Sequence, residues 1–254
     1  MSHIQLDGVS LGAADKPPLF PPLSESISHE VVGLFGRNGS GKSTLLSAIA
    51  GLRMPASGTI VVDGKIAVMQ QGAFAADQSI AQALGIAAPL AILRRIESGA
   101  PHASDLEEAD WDLPSRVERT LAQTGLPGLC LDRPAAHLSG GQQCRVKLAA
   151  LLLAEPDILL LDEPTNDLDE AGRELVHALL REWEGPALVA SHDRALLENM
   201  DRIIELSPAG ALTVGGGWSA FKEQRDAIRA QATQALEEAE QQSKKASAIH
   251  QARS

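Results

Sequence analysis

The sequence of 254 residues contains no tyrosine, four phenylalanines, three tryptophans and only two cysteines, Cys130 and Cys144. Neither cysteine lies in a CxxC motif or in a His/Cys spacing typical of zinc, which excludes a disulfide scaffold and indicates a reducing compartment. The longest unbroken apolar run, Leu148–Ala154, is far shorter than the roughly 20 residues of a membrane span. The first ten residues lack the basic and apolar segments of a signal peptide. We therefore expect a soluble, cytoplasmic chain without a membrane domain.

The chain also has few basic residues for its number of acidic ones, 22 Lys or Arg against 33 Asp or Glu. The formal net charge is -11, which argues against a general attraction of the surface to nucleic acid or anionic lipid. The exception is the segment 221–254, which carries six Lys or Arg against five Asp or Glu. Such a segment is either a tail with its own partner or a solvated charged helix, and charge alone leaves both interpretations open.

Short apolar runs alternate with helical patterns, which predicts a mainly parallel sheet with helices on its faces. Strands are expected at 4–11 (an edge strand), 31–35, 158–161 and 187–190, with hairpins at 59–69 and 203–214. Helices are expected at 44–50, within 79–126, at 139–154 and at 170–183. From Trp218 to Ser254 there is neither Gly nor Pro, so this segment is predicted to be one long helix with a thin apolar stripe.

A glycine-rich loop after the strand at 31–35 fits the pattern G-x-x-x-x-G-K-[ST] in the required context between a strand and a helix. Its glycines let several N–H groups point into one concavity, and the following helix adds its positive end. Lys42 is expected to contact the β- and γ-phosphates, and the Ser43 hydroxyl to bind Mg²⁺. A glycine-rich turn without function is the disfavoured alternative. The candidate phosphate-binding residues are Gly36, Asn38, Gly39, Ser40, Gly41, Lys42, Ser43 and Thr44.

Two acidic residues follow the apolar run at 158–161. Asp162 and Glu163 are therefore expected at the carboxyl end of a buried strand, where open α/β sheets bind ligands. One carboxylate there can hold Mg²⁺, and the next can polarise an attacking water. The alternative, that both acids merely cap a helix, is weakened by the phosphate loop. His192 follows the strand at 187–190 in the same way and is a further candidate.

The decisive motif is Leu138-Ser-Gly-Gly-Gln142, a serine at a helix N-cap followed by two glycines, which makes a second helix N-terminus suited to phosphate. With the phosphate loop, this motif resembles that of ATP-binding cassette (ABC) ATPases over roughly residues 1–217. The resemblance implies a P-loop (RecA-like) α/β core with a mostly parallel sheet, a small antiparallel β subdomain, an α-helical subdomain at about 74–137 and a long C-terminal helix at 218–254.

The resemblance also implies the cofactors and the roles of the site residues. ATP and Mg²⁺ are the expected cofactors, and a second cassette packed head to tail is the expected partner, because one chain cannot easily bring both phosphate sites to one γ-phosphate. Gln71 is similar to the Q-loop glutamine that binds Mg²⁺, although the adjacent Gln70 is an equal alternative. Asp167 and Asp169 resemble the D-loop. The expected catalytic residues are Lys42, Glu163 and His192, the expected metal ligands are Ser43, Gln71 and Asp162, and the second cassette would bind nucleotide through its own Ser139, Gly140, Gly141 and Gln142.

Two segments resemble the ABC-F branch, whose members lack membrane domains and act at the ribosome. They are the run 162–169 (DEPTNDLD) with Ser191-His-Asp-Arg194, and the run 215–225 (GGGWSAFKEQR), which looks like the start of the interdomain linker. In that family the linker is a helical hairpin that reaches toward the ribosomal P-site tRNA. The resemblance implies either one half of a tandem protein or a cassette that must dimerise.

Two other functions remain as alternatives: the nucleotide-binding subunit of a membrane transporter, and an ATP-gated clamp that hydrolyses poorly. One departure from the family pattern concerns recognition of the adenine base of the nucleotide. Cassettes usually stack an aromatic residue on adenine, but here only Leu11 and Ala13 lie near the equivalent place. We therefore expect weak discrimination between purines.

Overall fold

The computed structural model describes residues 2–12, 18–70 and 72–251. Its strands are β1 (His3–Ser10), β2 (Leu23–Ile27), β3 (Val31–Phe35), β4 (Ser57–Asp63), β5 (Ile66–Met69), β6 (Ile158–Asp162), β7 (Ala187–Ala190), β8 (Arg202–Ser207) and β9 (Gly210–Gly215). Its α-helices are α1 (Lys42–Ile49), α2 (Ile80–Ala83), α3 (Ala87–Glu97), α4 (Asp105–Glu108), α5 (Leu113–Gln123), α6 (Gly140–Ala154), α7 (Glu170–Arg181), α8 (Arg194–Leu197) and α9 (Trp218–Gln251), with a short 3₁₀ helix at Ala135–His137.

The predicted fold class is confirmed by a six-stranded sheet in the order β5-β6-β7-β3-β8-β9. The first five strands are parallel to their neighbours, and β9 pairs antiparallel with β8, as the predicted hairpin at 203–214 requires. The central strands β6 and β7 are buried along their whole length. Helices on both faces exclude water from these strands, which explains why their sequences are continuously apolar rather than alternating.

Alternate residues of β6 enter two different cores, because successive side chains of a strand point to opposite faces. Leu159 and Leu161 pack in the core that includes α6 and α7. Ile158 and Leu160 pack on the other face with α1 and the first strands of the chain. A third core joins α2, α3 and α5 to one face of α6, through Val146 and Ala149.

The predicted hairpin at 59–69 is wrong. Strand β4 pairs with β1 in a separate antiparallel sheet of order β2-β1-β4, whereas β5 pairs in parallel with β6. The chain crosses between the sheets at Gly64, which has a φ of 126° and where a Cβ would lie 3.0 Å from Asp157 Cβ. The apolar strand β5 buries more surface beside β6 than it would against the largely exposed β4.

Strand β1 was also expected at an edge, and it lies in the centre of the three-stranded sheet. The adjacent segment 13–17 lies outside the described residues. Strand β1 pairs with β2 on one side and with β4 on the other. Its apolar residues Ile4 and Leu6 are buried in the core on one face of this sheet. This small sheet closes the core over α1.

Helix α9 begins at Trp218, where the sequence predicted it, and runs to Gln251. Trp218 and Phe221 are buried in the core beside α7 and α8. The described side chains after Arg225, including Ile228, are exposed. Only the first two turns of this helix are therefore attached to the rest of the molecule. Among the described residues, no helix combines the length and the apolar character needed to cross a membrane.

We expect Leu160→Ala in β6 to lower the free energy of unfolding by about 2–5 kcal/mol, because the Leu160 side chain is fully buried and its removal leaves a cavity. The matched control is Leu152→Ala in α6, where the same atoms are removed from a side chain that is 37% exposed. Urea denaturation followed by circular dichroism measures both. Equal losses in the two variants would contradict the assignment of β6 to the centre of the sheet.

Candidate functional site

The glycine-rich loop 36–41 connects β3 to α1, as predicted. Gly36 has a φ of 154°, and a Cβ at this position would lie 2.5 Å from Ser40 Oγ and 2.6 Å from the Leu206 carbonyl oxygen. Gly41 has a φ of 101° and packs against the Phe20 ring. These glycines are therefore required by the close approach of other atoms and by the left-handed backbone. The loop brings the N-terminus of α1, with its unpaired N–H groups, to one side of a cavity.

Lys42 is the first residue of α1, and its side chain is buried. Its Nζ donates to the Gly36 carbonyl oxygen at 2.9 Å and lies 3.1 Å from His192 Nε2. Because an ammonium group only donates, Lys42 is the donor in this contact and His192 Nε2 the acceptor. Burial lowers the pKa of Lys42, while the nearby carboxylates Glu163 and Asp162 oppose that shift.

The carboxyl end of β6 places Asp162 and Glu163 opposite the loop. Glu163 has a φ of 49°, an uncommon conformation for a residue with a side chain. Its N–H donates to the Ala190 carbonyl oxygen at 2.8 Å, which fixes the residue to β7. This local backbone strain is held by the pairing of β6 with β7.

Glu163 and His192 lie in direct contact. Glu163 Oε2 accepts the His192 backbone N–H at 3.3 Å, and Glu163 Oε1 lies 3.5 Å from His192 Nε2. Burial raises the pKa of Glu163, and the proximity of His192 and Lys42 only partly offsets this. A carboxylate with a raised pKa is a better proton acceptor than an ordinary glutamate. The geometry therefore fits Glu163 as a general base.

The cavity that these elements enclose has a volume of about 490 Å³. It brings together nine residues that the sequence predicted. Two further residues were not predicted as site residues: Leu19, which reaches the site from the segment before β2, and Asn166, which lies in the run 162–169 but was assigned no role. The lining consists of Leu19, Asn38, Gly39, Gly41, Lys42, Ser43, Thr44, Asp162, Glu163, Asn166 and His192.

Two buried polar atoms near the phosphate loop indicate whether the residues present are suited to bind ATP and Mg²⁺. Ser40 Oγ and Asp162 Oδ1 are both buried without a hydrogen-bond partner among the described residues. Buried polar atoms are normally paired, so each calls for a ligand. Ser40 lies in the phosphate loop, and Asp162 and Ser43 line the same cavity. A phosphate group and a divalent cation are the chemical partners that these two oxygens fit.

The residues of the second phosphate-binding motif lie elsewhere. Ser139 caps α6: its Oγ accepts the Gln142 N–H at 3.3 Å, and Gln142 Oε1 accepts the Ser139 N–H at 3.0 Å. Gly140 and Gly141 pack against Asp167, where φ is 62°. None of the residues 139–142 lines the cavity around the phosphate loop. Within a single chain, the second phosphate-binding motif therefore does not contribute to the cavity that contains the phosphate loop.

Asp169, predicted with Asp167 to belong to the D-loop, caps α7 and pairs with Arg145 at 2.7 Å. Gln71 lies outside the described residues. Its neighbour Gln70 lines a second cavity of about 530 Å³, together with Gly140, Asp162 and Glu163. The choice between Gln70 and Gln71 as the Q-loop residue therefore stays a prediction.

Comparison with known proteins agrees with this geometry. A family model described as "ABC transporter" matches residues 25–166. The chain is 31% identical over 265 residues to the tylosin resistance ATP-binding protein TlrC of Streptomyces fradiae, covering 93% of this chain and 48% of that protein. It is 30% identical over 217 residues to the energy-dependent translational throttle protein EttA of Mycobacterium tuberculosis, covering 76% and 38%.

A transport ATPase is similar as well. The chain is 33% identical over 197 residues to the biotin transport ATP-binding protein BioM of Rhizobium etli, covering 78% of this chain and 85% of that protein. The chain thus spans less than half of TlrC and EttA and most of BioM. TlrC and EttA are ABC-F proteins, so the resemblance inferred from the motifs is confirmed.

We expect Glu163→Gln to raise the melting temperature at about pH 8 and to have little effect at about pH 4. The folded chain raises the pKa of Glu163, so ionisation of this carboxyl costs stability as the pH rises through that pKa. Glutamine removes the cost, and most of the gain disappears at low pH because the wild-type carboxyl is then mostly protonated in both the folded and the unfolded state.

Thermal unfolding at the two pH values measures this difference, with Glu118→Gln on the exposed face of α5 as the control. The control is expected to change the melting temperature little and equally at both pH values. A gain for Glu163→Gln that is larger at low pH would show that the sign is wrong.

Proposed function

This chain belongs to the family of ABC ATP-binding cassettes, and on that premise we propose that it is the ATP-hydrolysing cassette of an ABC-F-type protein that acts on the ribosome in translation. The observation that supports hydrolysis most strongly is the convergence of Lys42, Asp162, Glu163 and His192 on one cavity. These four residues lie at the ends of three different elements, α1, β6 and β7, so their proximity depends on the whole sheet rather than on one local motif.

We assign the ATP phosphates to the phosphate loop and to Lys42, whose buried side chain lines the cavity. We assign Mg²⁺ to Ser43, Asp162 and Gln71, with Gln70 as the alternative to Gln71. When bound, Mg²⁺ neutralises charge on the phosphate oxygens. The proposed phosphate-binding set is Gly36, Asn38, Gly39, Ser40, Gly41, Lys42, Ser43 and Thr44.

Glu163 is proposed to orient the attacking water and to accept its proton, which its raised pKa favours. His192 hydrogen-bonds Lys42 and contacts Glu163, so it holds both side chains in one orientation. Its remaining exposed surface faces the cavity, where it is placed to contact the γ-phosphate. The buried Lys42 ammonium stabilises the negative charge of the transferred group.

Cassettes of this family pair as dimers. Because residues 139–142 do not line the cavity of their own chain, we propose that Ser139, Gly140, Gly141 and Gln142 of one cassette complete the site of another. The N-terminus of α6 then supplies N–H groups to the phosphates. The second cassette is either a further part of the same protein or a second copy of this chain.

The ABC-F assignment is supported by the similarity to EttA and by helix α9, which leaves the cassette at Trp218. We propose the division into a cassette at 1–217, with a helical subdomain at about 74–137, and a linker segment at 218–254 that contacts ribosome or tRNA. A cytoplasmic location is part of this proposal. The similarity to BioM over most of that protein favours a second candidate, the nucleotide-binding subunit of a membrane transporter.

To test this function, we would sediment the Glu163→Gln chain with purified ribosomes, with and without ATP. Removal of the general base stops hydrolysis, so ATP is expected to trap the closed pair of cassettes and to carry the chain into the ribosome pellet. The control is Glu163→Gln combined with Lys42→Ala, which removes the phosphate contact and is expected to abolish the response to ATP.

Self-association driven by ATP without ribosome binding would contradict the translation function and favour the transporter alternative. Unchanged hydrolysis in Glu163→Gln would remove Glu163 from its proposed role. If the chain responds to ATP in neither assay, the proposal that it binds ATP fails.

We also expect similar affinities for ATP and GTP, within about a factor of ten. The surface beside the phosphate loop is formed by residues such as Pro18, Leu19 and Pro21, and no aromatic side chain lines it among the described residues. Leu11 is buried, and Ala13 lies outside the described residues. A calorimetric titration with each nucleotide checks this, and a tight preference for ATP would contradict it.

A further inference from the structure

An aromatic cluster lies directly behind the candidate site. It consists of Phe35, the last residue of β3, and of Trp218 and Phe221 in the first turn of α9. The Phe35 ring lies 4.9 Å from the Trp218 ring and 5.6 Å from the Phe221 ring, at interplanar angles of 64° and 62°. These are edge-to-face contacts, the arrangement that aromatic quadrupoles favour. Three of the seven Phe and Trp residues in the chain thus converge at one place.

Phe35 also contacts the site itself. Its ring lies 5.9 Å from the His192 ring at 71°, so the imidazole is packed edge-on against it. On its other side, His192 Nε2 lies 3.1 Å from Lys42 Nζ and 3.5 Å from Glu163 Oε1. The His192 side chain is 42% exposed. Its orientation therefore depends on few contacts, and Phe35 supplies the aromatic one.

Two arginines cover the cluster from outside. The Arg225 guanidinium lies between 5.4 and 5.9 Å from the rings of Phe35, Trp218 and Phe221. Arg194, two residues after His192, lies 5.4 Å from the Trp218 ring. These distances are within the range of cation–π attraction. Trp218, Phe221 and Arg225 follow one another at helical spacing, so a single face of α9 makes all of these contacts.

The start of α9 is fixed to α8, the helix that follows His192. Ser219 donates to Glu198 Oε2 through its N–H at 2.9 Å and its hydroxyl at 3.0 Å. A Cβ at Gly217 would lie 2.2 Å from the Glu198 carbonyl oxygen, so the two backbones are in close contact. The first turn of α9 cannot move without moving the aromatic cluster or α8.

We propose that Phe35 is a positioning residue for His192, and that Trp218 and Phe221 of α9 hold Phe35 in place. The start of the terminal helix thereby becomes part of the structure that sets the geometry of the hydrolytic site. The inference rests on the proposed ATPase function, because His192 matters only if this site hydrolyses nucleotide.

Steady-state ATP hydrolysis tests the proposal. We expect Phe35→Leu to lower kcat by about 2- to 10-fold with an unchanged KM for ATP, because an edge-to-face contact orients a side chain without contributing to phosphate binding. Trp218→Ala is expected to lower kcat in the same direction, and Trp218→Phe to restore most of it. The structural control is Val176→Ala in α7, which opens the same hydrophobic core and is expected to lower the melting temperature without changing kcat.

A double-mutant cycle separates positioning from general destabilisation. In the His192→Ala background, Phe35→Leu is expected to have no further effect on kcat, since residues that act through one another are not additive. Equal effects of Phe35→Leu with and without His192 would overturn the inference. So would a kcat of Phe35→Leu equal to that of the wild type, or a loss confined to KM.

The absence of tyrosine permits a second measurement that needs no turnover. With Trp111→Phe and Trp183→Phe, Trp218 becomes the only strongly fluorescent side chain. We expect ATP to change its emission, and we expect Phe35→Leu to abolish that change while calorimetry still detects ATP binding. Constant emission in the parent on ATP binding would overturn this inference alone. Calorimetry that detects no ATP binding would overturn the proposed function and this inference with it.

Discussion

Parallel pairing of β6, β7 and β3 is the constraint on which the site depends. Leu34 and Asp162 both pair with Ala190, so the ends of three adjacent strands lie at one level of the sheet. The phosphate loop, the acidic pair and His192 each begin within two residues of that level. A slip of one residue in any of these pairings would turn the side chains to the opposite face. The apolar character of β6 and β7 therefore contributes to the geometry of the site as much as the polar residues do.

The residues of the candidate site lower the stability of the folded chain. The pKa values of Lys42 and Glu163 are shifted in the directions that disfavour their charged forms, since burial removes both groups from water. Two buried oxygens lack partners, and Glu163 has a left-handed backbone. Such features persist only where the surrounding sheet is stable enough to hold them. Their concentration around one cavity fits a ligand that is anionic and carries a metal.

Local patterns were sufficient to predict the phosphate loop, the helix N-cap at Ser139 and the strand end at Asp162, because each depends on residues adjacent in the chain. Contacts between distant segments were not predictable in this way. Strands β4 and β5 are separated by two residues and enter different sheets, because the surface available beside β6 decides their pairing. Leu19 and Asn166 reach the cavity through the fold alone. The contact of Phe35 with His192 could not be predicted either, because the two residues are far apart in the chain and meet only in the fold.

The attachment of α9 has a mechanical consequence. The helix has 34 residues, which at 1.5 Å per residue gives a length of about 50 Å. Because only its first two turns are packed, any tilt of the helix as a rigid body would be centred on the aromatic cluster. A tilt of one degree there displaces the far end by about 0.9 Å, and a tilt of about six degrees displaces it by one helical turn. Rearrangements too small to break the contacts among three rings would therefore produce displacements of several ångströms at the far end of the helix.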